Sequence, residues 1–427
     1  RQVFDEPLLK ETDLAFLQYT SGSTGDPKGV MVSFKNLHHN CSMCHSYLEA
    51  GATGTRGFSW VPQYHDLGLI YMTIMPFYAG MRMRYMSPIT FIRKPLLWLQ
   101  LMAEHCCEWT AAPDFAYRLA TRRLVRMPDS AIAPSFDLSC MRQFHSMAEP
   151  IRISTVQDFE STFQPLGLRP DWFYAAYGLA ESVVGICWYG GRELSAKNPD
   201  LQCVGATSTF HPTIDIRIVD PETGQEVPGG NTGEVLVFSP SNAAGYFGKP
   251  ELSAQAFHAR INSAVPLVAE RDYLRTGDLG FMEDGKLYIC GRMKDVIIYG
   301  GRNIYPQDIE FAAQDASPAV RPGCLAAFSR SDTASDELEV VFEIREAHEP
   351  EATTLVQEVH ACILGTCGIP ASSVTAIKEK TIPKTTSGKI RRRATRTALH
   401  DGSLCTIYCE KFDVTQYEQT AVKELTP

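Results

Sequence analysis

The sequence predicts an α/β fold with a mostly parallel sheet, on three observations. Strand-like and helical segments alternate from Val30 to Glu181, the pattern of strands joined by crossover helices. A strand-rich stretch follows, with alternating Ile214, Ile216 and Ile218 and a second hairpin pattern after Tyr273. Beyond the glycine-flanked connection at Gly291 to Asn303 the pattern becomes a small α+β unit, with strands at 338–344 and 374–378 and a helix near 354–364. This places a domain boundary at 293/294: a large domain over 1–293, short at its N-terminal side, and a small domain over 294–427.

Composition narrows the class of protein. The 427 residues are 44% hydrophobic and 21% charged, a globular balance long enough for two or three domains. A formal charge of -9 argues against a general nucleic-acid or anionic-membrane surface. The thirteen cysteines are odd in number and lack framework spacing, so they read as reduced thiols in the cytoplasm. The most apolar stretch, Leu67 to Met81, is shorter than a bilayer span and contains Pro76, so it reads as a buried element and no transmembrane segment is expected.

In chain order, the first chemical signal is Leu17 to Gly29, where an apolar strand breaks into hydroxyls and glycines closed by a lysine. Thr20, Ser21, Ser23 and Thr24 supply hydroxyls, Gly22 and Gly25 let backbone approach an anion, and Lys28 adds a mobile charge: a polyphosphate cradle. Pro27 and Gly29 flank the lysine, so the Walker pattern does not apply. Ser33 is placed to cap a helix running to about Ala50. That helix carries Cys41-Ser-Met-Cys44-His45, a haem-attachment spacing that reads as buried small side chains; His38, His39 and His45 likewise read as structural, not as zinc ligands. Trp60 to Gly68 gathers an aromatic, His65 and Asp66 in a turn able to line a pocket. From Ser87 to Arg126 the pattern is mostly helical, with Pro95, Trp98, Leu101 and Met102 on a core-facing stripe. A loop over 128–134, a strand over 138–144 and a helix opened by Ala148-Glu149-Pro150 with its body over 155–163 follow.

The second signal is Tyr177-Gly178-Leu-Ala-Glu181. It offers a tight turn, a flat aromatic face for a purine and a carboxylate suited to Mg²⁺ bridging phosphates. Asp278, in Arg275-Thr-Gly-Asp, suits the two hydroxyls of a ribose or simply a turn. Near the end, Pro383-Lys-Thr-Thr-Ser-Gly-Lys389 sets a lysine in a flexible polar loop able to swing an ammonium into a site, although a basic run here also suits a solvated face.

Taken in order, Thr20 to Gly29, Tyr177 to Glu181, Arg275 to Asp278, Gly291-Arg292-Met-Lys294-Asp295 and Pro383 to Lys389 resemble the core motifs of adenylate-forming enzymes, the acyl-CoA synthetase and nonribosomal adenylation superfamily. Val61-Pro-Gln-Tyr-His65-Asp66, Ala148-Glu149-Pro150 and Gly301-Arg302-Asn303-Ile-Tyr305-Pro306 are most similar to fatty acyl-AMP ligases of polyketide and lipid biosynthesis. The resemblance implies a large adenylate-forming domain, lacking its N-terminal part, followed by a mobile lid. It also implies ATP and Mg²⁺ as cofactors, and activation of a fatty acid to acyl-adenylate with loading onto an acyl carrier protein or polyketide synthase. Coenzyme A as acceptor, or a catalytically degenerate sensor, are the alternatives. In this reading Lys389 bridges carboxylate and phosphate, His65 stands beside the acyl carboxylate, the cradle from Thr20 to Lys28 holds the β- and γ-phosphates, and Tyr177 with Gly178 meets adenine. Glu181 holds Mg²⁺, Asp278 and Arg292 the ribose, and Lys294 marks the hinge. Met147 stands where the family usually carries glycine beside Ala148, and the segment between Glu181 and Ile214 is short for the acyl-AMP ligase insertion, which bears on how strictly coenzyme A is excluded.

Overall fold

A computed structural model describes residues 8–20, 27–48, 54–127, 136–262, 265–300, 302–331, 337–385 and 388–414. Contacts divide these into two units, one ending at Cys290 and the other beginning at Gly291.

In the first unit, β1 (Leu14–Tyr19) and β2 (Gly29–Ser33) form an antiparallel ribbon, closed at its loop end by the Thr20 N–H donating to Lys28 O at 2.9 Å. Ser33 caps the helix Phe34–Ser46 in a capping box with Asn36, as its position predicts. The helix ends at Ser46, before Ala50, which lies outside the described residues. Cys41 and Cys44 are buried in the core from this helix, and His39 is held by Ser241 and Thr213 at 2.6 and 2.8 Å.

The main sheet comprises β3 (Arg56–Ser59), β4 (Arg82–Tyr85), β5 (Trp109–Ala112), β6 (Gln143–Ser146), β7 (Phe173–Tyr177) and β8 (Cys187–Gly190), in the order β4-β3-β5-β6-β7-β8. All adjacent pairs are parallel except β7 with β8, which matches the predicted mostly parallel sheet. Three elements depart from the sequence reading. The stretch 87–126 is mostly helical, as expected, but its helices Pro88–Arg93, Pro95–Glu104 and Asp114–Val125 enclose a strand the periodicity does not show, β5, buried throughout. A strand covered on both faces has no polar alternation, so periodicity merges it with its neighbours. Likewise the strand expected over 138–144 lies at Gln143–Ser146, because Leu138 and Met141 are buried in a turn preceding it. The helix expected to open at Ala148-Glu149-Pro150 begins only at Ile153 and runs to Phe163, because Ala148 takes a left-handed φ of 75° that a right-handed helix does not admit, and the loop at 128–134 lies outside the described residues. The predicted stripe faces the core: Pro95, Trp98 and Met102 are buried, and Leu101 is partly buried against the same cluster. Leu67–Ile74 is a π-helix, continued by the short helix Met75–Tyr78, with Ile70, Tyr71, Met72 and Met75 fully buried.

A five-stranded sheet follows, made of β9 (Cys203–Ala206), β10 (Asp215–Val219), β11 (Gly233–Phe238), β12 (Leu274–Glu283) and β13 (Lys286–Arg292), ordered β10-β11-β12-β13-β9. Ile216 and Ile218 point inward from β10, as their alternation predicts, and Asp284-Gly285 joins β12 to β13.

The second unit carries the hairpin β14 (Ile297–Tyr299) and β15 (Arg302–Ile304). Its four-stranded sheet is β16 (Val320–Ser329), β17 (Leu338–Ile344), β18 (Ser373–Lys378) and β19 (Thr406–Lys411), with the helices Pro306–Asp315, Ala352–Cys367 and Arg392–His400. β17 pairs in parallel with β18 and is buried along its whole length. Glu343, fully buried on β17, accepts the N–H groups of Thr381 and Ile382 at 2.8 Å each and pairs with Arg321. Arg392 meets Glu310 and Asp295 at 2.7 and 3.0 Å, so the helix that follows the lysine loop is tied to the turn holding Lys294.

Among the described residues no helix is long and apolar enough to cross a membrane, and all thirteen cysteines are free thiols.

Candidate active site

Ligands of open α/β sheets bind outside the carboxyl ends of the strands. Four segments leave the parallel strands at that edge: Trp60 to Asp66 after β3, Asp114 after β5, Met147 to Glu149 after β6 and Gly178 to Glu181 after β7. Thus His65, Tyr177 and Glu181, far apart in sequence, share one edge.

Two carboxylates organise its centre by capping each other's helices. Glu149 Oε1 accepts the Phe115 N–H at 2.6 Å, at the start of helix Asp114–Val125. Asp114 accepts the Arg152 N–H at 3.1 Å and the Thr155 hydroxyl at 3.0 Å, at the start of helix Ile153–Phe163. Orphan N–H groups at both helix starts are satisfied from across the sheet. Ala148, between Met147 and Glu149, takes φ 75°, a left-handed conformation that side chains adopt at a cost and that delivers Glu149 to its partner. Met147 is buried.

Burial, and after it Glu149, raises the Asp114 carboxyl to about 7. A native pKa above the ordinary 3.8 gives stability present below pH 3.8 and lost as pH rises to about 7. His145, buried on β6 with Nδ1 2.7 Å from the Tyr71 hydroxyl, is lowered by burial to about 3 and acts oppositely, losing stability as pH falls from 6.5. The Asp114 effect is therefore read as a difference. Asp114→Asn is expected to gain, relative to wild type, more than about 1 kcal/mol between pH 4 and pH 7.5. Urea midpoints at the two pH values check it; parallel profiles exclude a titrating Asp114.

Tyr177 and Asp278 meet: the phenol donates to Asp278 Oδ2 at 2.7 Å, and both are buried. This joins the end of β7 to β12. The turn after Tyr177 demands Gly178, where a Cβ would lie 1.9 Å from Val184 O. Glu181 follows on a 3₁₀ turn, and its Oε1 accepts the Tyr246 hydroxyl at 2.8 Å. Lys28 stands with its ammonium 4.7 Å from the centre of the same Tyr246 ring. Thr20 and Lys28 close the cradle across their 2.9 Å backbone bond, while Ser21, Gly22, Ser23, Thr24 and Gly25 lie outside the described residues. His65 sits at the head of the π-helix, its Nδ1 2.6 Å from Asp66 Oδ1.

The second unit holds the remaining candidates. Arg292 and Lys294 are exposed on and beside the 3₁₀ turn Met293–Asp295. Lys389 is exposed on a tight loop whose stem is closed by the Thr385 N–H to Lys389 O at 2.8 Å, the Lys389 N–H to Thr385 Oγ1 at 3.1 Å and the Arg391 N–H to Pro383 O at 3.0 Å. Thr386, Ser387 and Gly301 lie outside the described residues.

Tyr246, which contacts both Glu181 and Lys28, is a residue that motif reading misses. Its cue in the sequence is an aromatic between Gly245 and Gly248 before the Pro250 helix start, which says nothing about Lys28 or Glu181.

A magnesium site fits this donor set. Among the described residues Glu181 Oε2 accepts no hydrogen bond, and no group of three or more His, Cys, Asp or Glu could hold a metal by itself. Mg²⁺ is characteristically held by one or two carboxylates together with substrate phosphates, so a single carboxylate beside a phosphate cradle is the expected arrangement.

A parallel sheet whose carboxyl edge combines a tyrosine–aspartate pair, an acidic turn and a lysine-closed cradle, followed by a separate lysine-bearing α+β unit, defines an adenylate-forming enzyme. Residues 2–247 match the AMP-binding enzyme family, and the chain belongs to it. It is 36% identical, over 94% of its length and 70% of the relative, to the medium-chain-fatty-acid–[acyl-carrier-protein] ligase JamA of Moorena producens. Identity is 35%, with the same coverages, to the long-chain-fatty-acid–AMP ligase FadD32 of Mycolicibacterium smegmatis. A structure from studies of fatty acyl-adenylate ligases from E. coli and L. pneumophila superposes with TM-score 0.78 at 29% identity, over 92% of this chain and 71% of that one.

Proposed function

We propose that the protein activates a fatty acid with ATP, forming acyl-adenylate and pyrophosphate, and passes the acyl group to the phosphopantetheine thiol of a carrier protein. The observation that carries this is the assembly, in one unit, of Tyr177 with Asp278 and of Glu181 with Lys28 through Tyr246. The names of the relatives support the substrate and acceptor.

A carboxylate oxygen attacks the α-phosphorus, and the bond from that phosphorus to the pyrophosphate oxygen breaks. Two anions must meet, so positive charge has to be focused between them. Lys389 supplies it as a point charge on a flexible stem. Lys28, Thr20 and the cradle from Ser21 to Gly25 hold the departing pyrophosphate. Tyr177 and Gly178 flank the adenine, and Asp278 with Arg292 takes the ribose. His65, held by Asp66, faces the acyl carboxylate. Glu181 would hold Mg²⁺, which when bound neutralises charge on the phosphates. Lys294 is the hinge between a large domain over 1–293 and a lid over 294–427, whose rotation admits the thiol after adenylation. The free thiols support a reducing, cytoplasmic setting.

The test is fatty-acid-dependent ATP–pyrophosphate exchange by purified full-length protein across C8 to C18 acids. Exchange is expected, with subsequent acylation of a holo carrier protein faster than of coenzyme A. No exchange at any chain length overturns the activity; faster acylation of coenzyme A overturns the acceptor.

A further inference from the structure

Tyr246 stands between the two charges that the proposed reaction needs on the pyrophosphate side. Its hydroxyl occupies one oxygen of Glu181 and its ring face lies beneath the Lys28 ammonium. The side chain is 6% exposed, so it belongs to the interior. It is also fixed from three directions. Its N–H donates to Ser253 Oγ at 2.8 Å, and that hydroxyl in turn donates to Lys249 O at 2.8 Å. Its ring packs edge-on against Phe257, with centroids 5.1 Å apart and planes at 73°. Its backbone bridges to Val30 of β2, with the Phe247 N–H donating to Gly29 O at 2.8 Å. Gly245 makes the Ser253 contact possible: its φ is 142°, and a Cβ there would come 2.7 Å from Ser253 Oγ. The same segment ties down the acidic turn, because the Ala243 N–H donates to Glu181 O at 2.9 Å.

We infer that Tyr246 is a positioning residue for adenylation, which registers the metal-binding carboxylate of Glu181 to the phosphate-binding ammonium of Lys28 while keeping the two from neutralising each other. The inference rests on the roles proposed for Glu181 and Lys28. A direct pair between a carboxylate and an ammonium would withdraw both from magnesium and phosphate. Tyr246 gives each a neutral partner: the hydroxyl satisfies one carboxylate oxygen and orients the other, and the ring quadrupole attracts the ammonium without cancelling its charge.

The experiment measures equilibrium binding of α,β-methylene-ATP as a function of Mg²⁺, alongside fatty-acid-dependent pyrophosphate exchange, in full-length protein. Tyr246→Phe keeps the ring under Lys28 and removes the hydroxyl. It is expected to raise the half-saturating Mg²⁺ concentration about 10-fold, the scale of outer-shell losses, with exchange restored at saturating Mg²⁺ and analogue binding without Mg²⁺ unchanged. Tyr246→Leu is expected to weaken Mg²⁺-free binding as well, by about 2- to 5-fold, through loss of the cation–π support. In a Glu181→Gln background the Phe substitution should produce no further shift. Ser253→Ala, which removes the acceptor of the Tyr246 N–H together with the donor to Lys249 O but leaves the phenol, guards against a folding failure and should move the Mg²⁺ midpoint in the same direction by about 2- to 3-fold, through the loosened Tyr246 backbone. Wild-type protein that binds the analogue independently of Mg²⁺ overturns the role of Glu181 itself. Mg²⁺-dependent wild type with unchanged midpoints in Tyr246→Phe and Ser253→Ala overturns the role of Tyr246 alone.

Discussion

Replacing Lys389 with alanine is expected to slow fatty-acid-dependent pyrophosphate exchange by about 10²-fold or more, the loss seen when one preorganised electrostatic donor is removed. The chemistry explains why the effect is large. Attack by a carboxylate on a phosphate ester brings two anions within bonding distance, and nothing in the reactants relieves the repulsion. In the second half-reaction the nucleophile is a thiol and AMP departs, so charge between two anions is no longer needed. The variant should therefore load a carrier protein from supplied acyl-adenylate at close to the wild-type rate. Equal losses in both half-reactions would show that the substitution damages the second unit generally. Geometry favours the selective outcome: Lys389 is exposed, and the loop stem is held by backbone bonds and by Thr385, which the alanine leaves in place.

Substitution of Arg392 by alanine is expected to have the largest effect on stability, destabilising the second unit by about 3 kcal/mol, near the lower end for breaking a buried ion pair. The guanidinium keeps 22% of its side-chain exposure, while Glu310 and Asp295 keep 13% and 12%, so the array is mostly desolvated. These neighbours raise the Arg392 pKa against the opposing effect of burial, so the cation is firmly held. Its removal leaves two carboxylates facing each other without a counter-ion. Arg392→Lys cannot reproduce the fork that meets Glu310 through both Nε and Nη2 and should recover only part of the loss. Chemical denaturation followed by a probe in the second unit checks the pair; a loss below about 1 kcal/mol for the alanine variant would place the array among weak surface pairs. Because Arg392 joins the helix after the lysine loop to Asp295, next to Lys294, a loosened array should also reduce exchange at temperatures where the unit remains folded.

Much of the fold is legible in the sequence because its signals are local. The Ser33 cap, the turn before Lys286 and the alternation through β10 each depend on residues a few positions apart. Strand β17, expected at 338–344, lies at those residues. What fails is equally physical. Strand β5 is hidden because Trp109–Ala112 is covered on both faces, which removes the polar alternation that would separate it from the adjoining helices. Strand β6 is displaced because apolar Leu138 and Met141 mark a buried turn that looks like a strand.

The phosphate cradle, the Tyr177 turn and the Lys389 loop are recognisable through their order along the chain, which resembles that of the adenylate-forming motifs; each alone also suits a linker, a turn or a solvated face. Their partners are not. That the Tyr177 phenol meets Asp278, that Glu149 and Asp114 cap each other's helices, and that Tyr246 takes Glu181 on one side and Lys28 on the other are settled by strand order and by the path of residues 240–249 beside β2. Local sequence determines which chemical groups the chain carries and the turns that present them. Only the tertiary structure decides which group stands against which, because hydrogen bonds and ring contacts between residues 34 or more positions apart leave no periodic trace in the sequence.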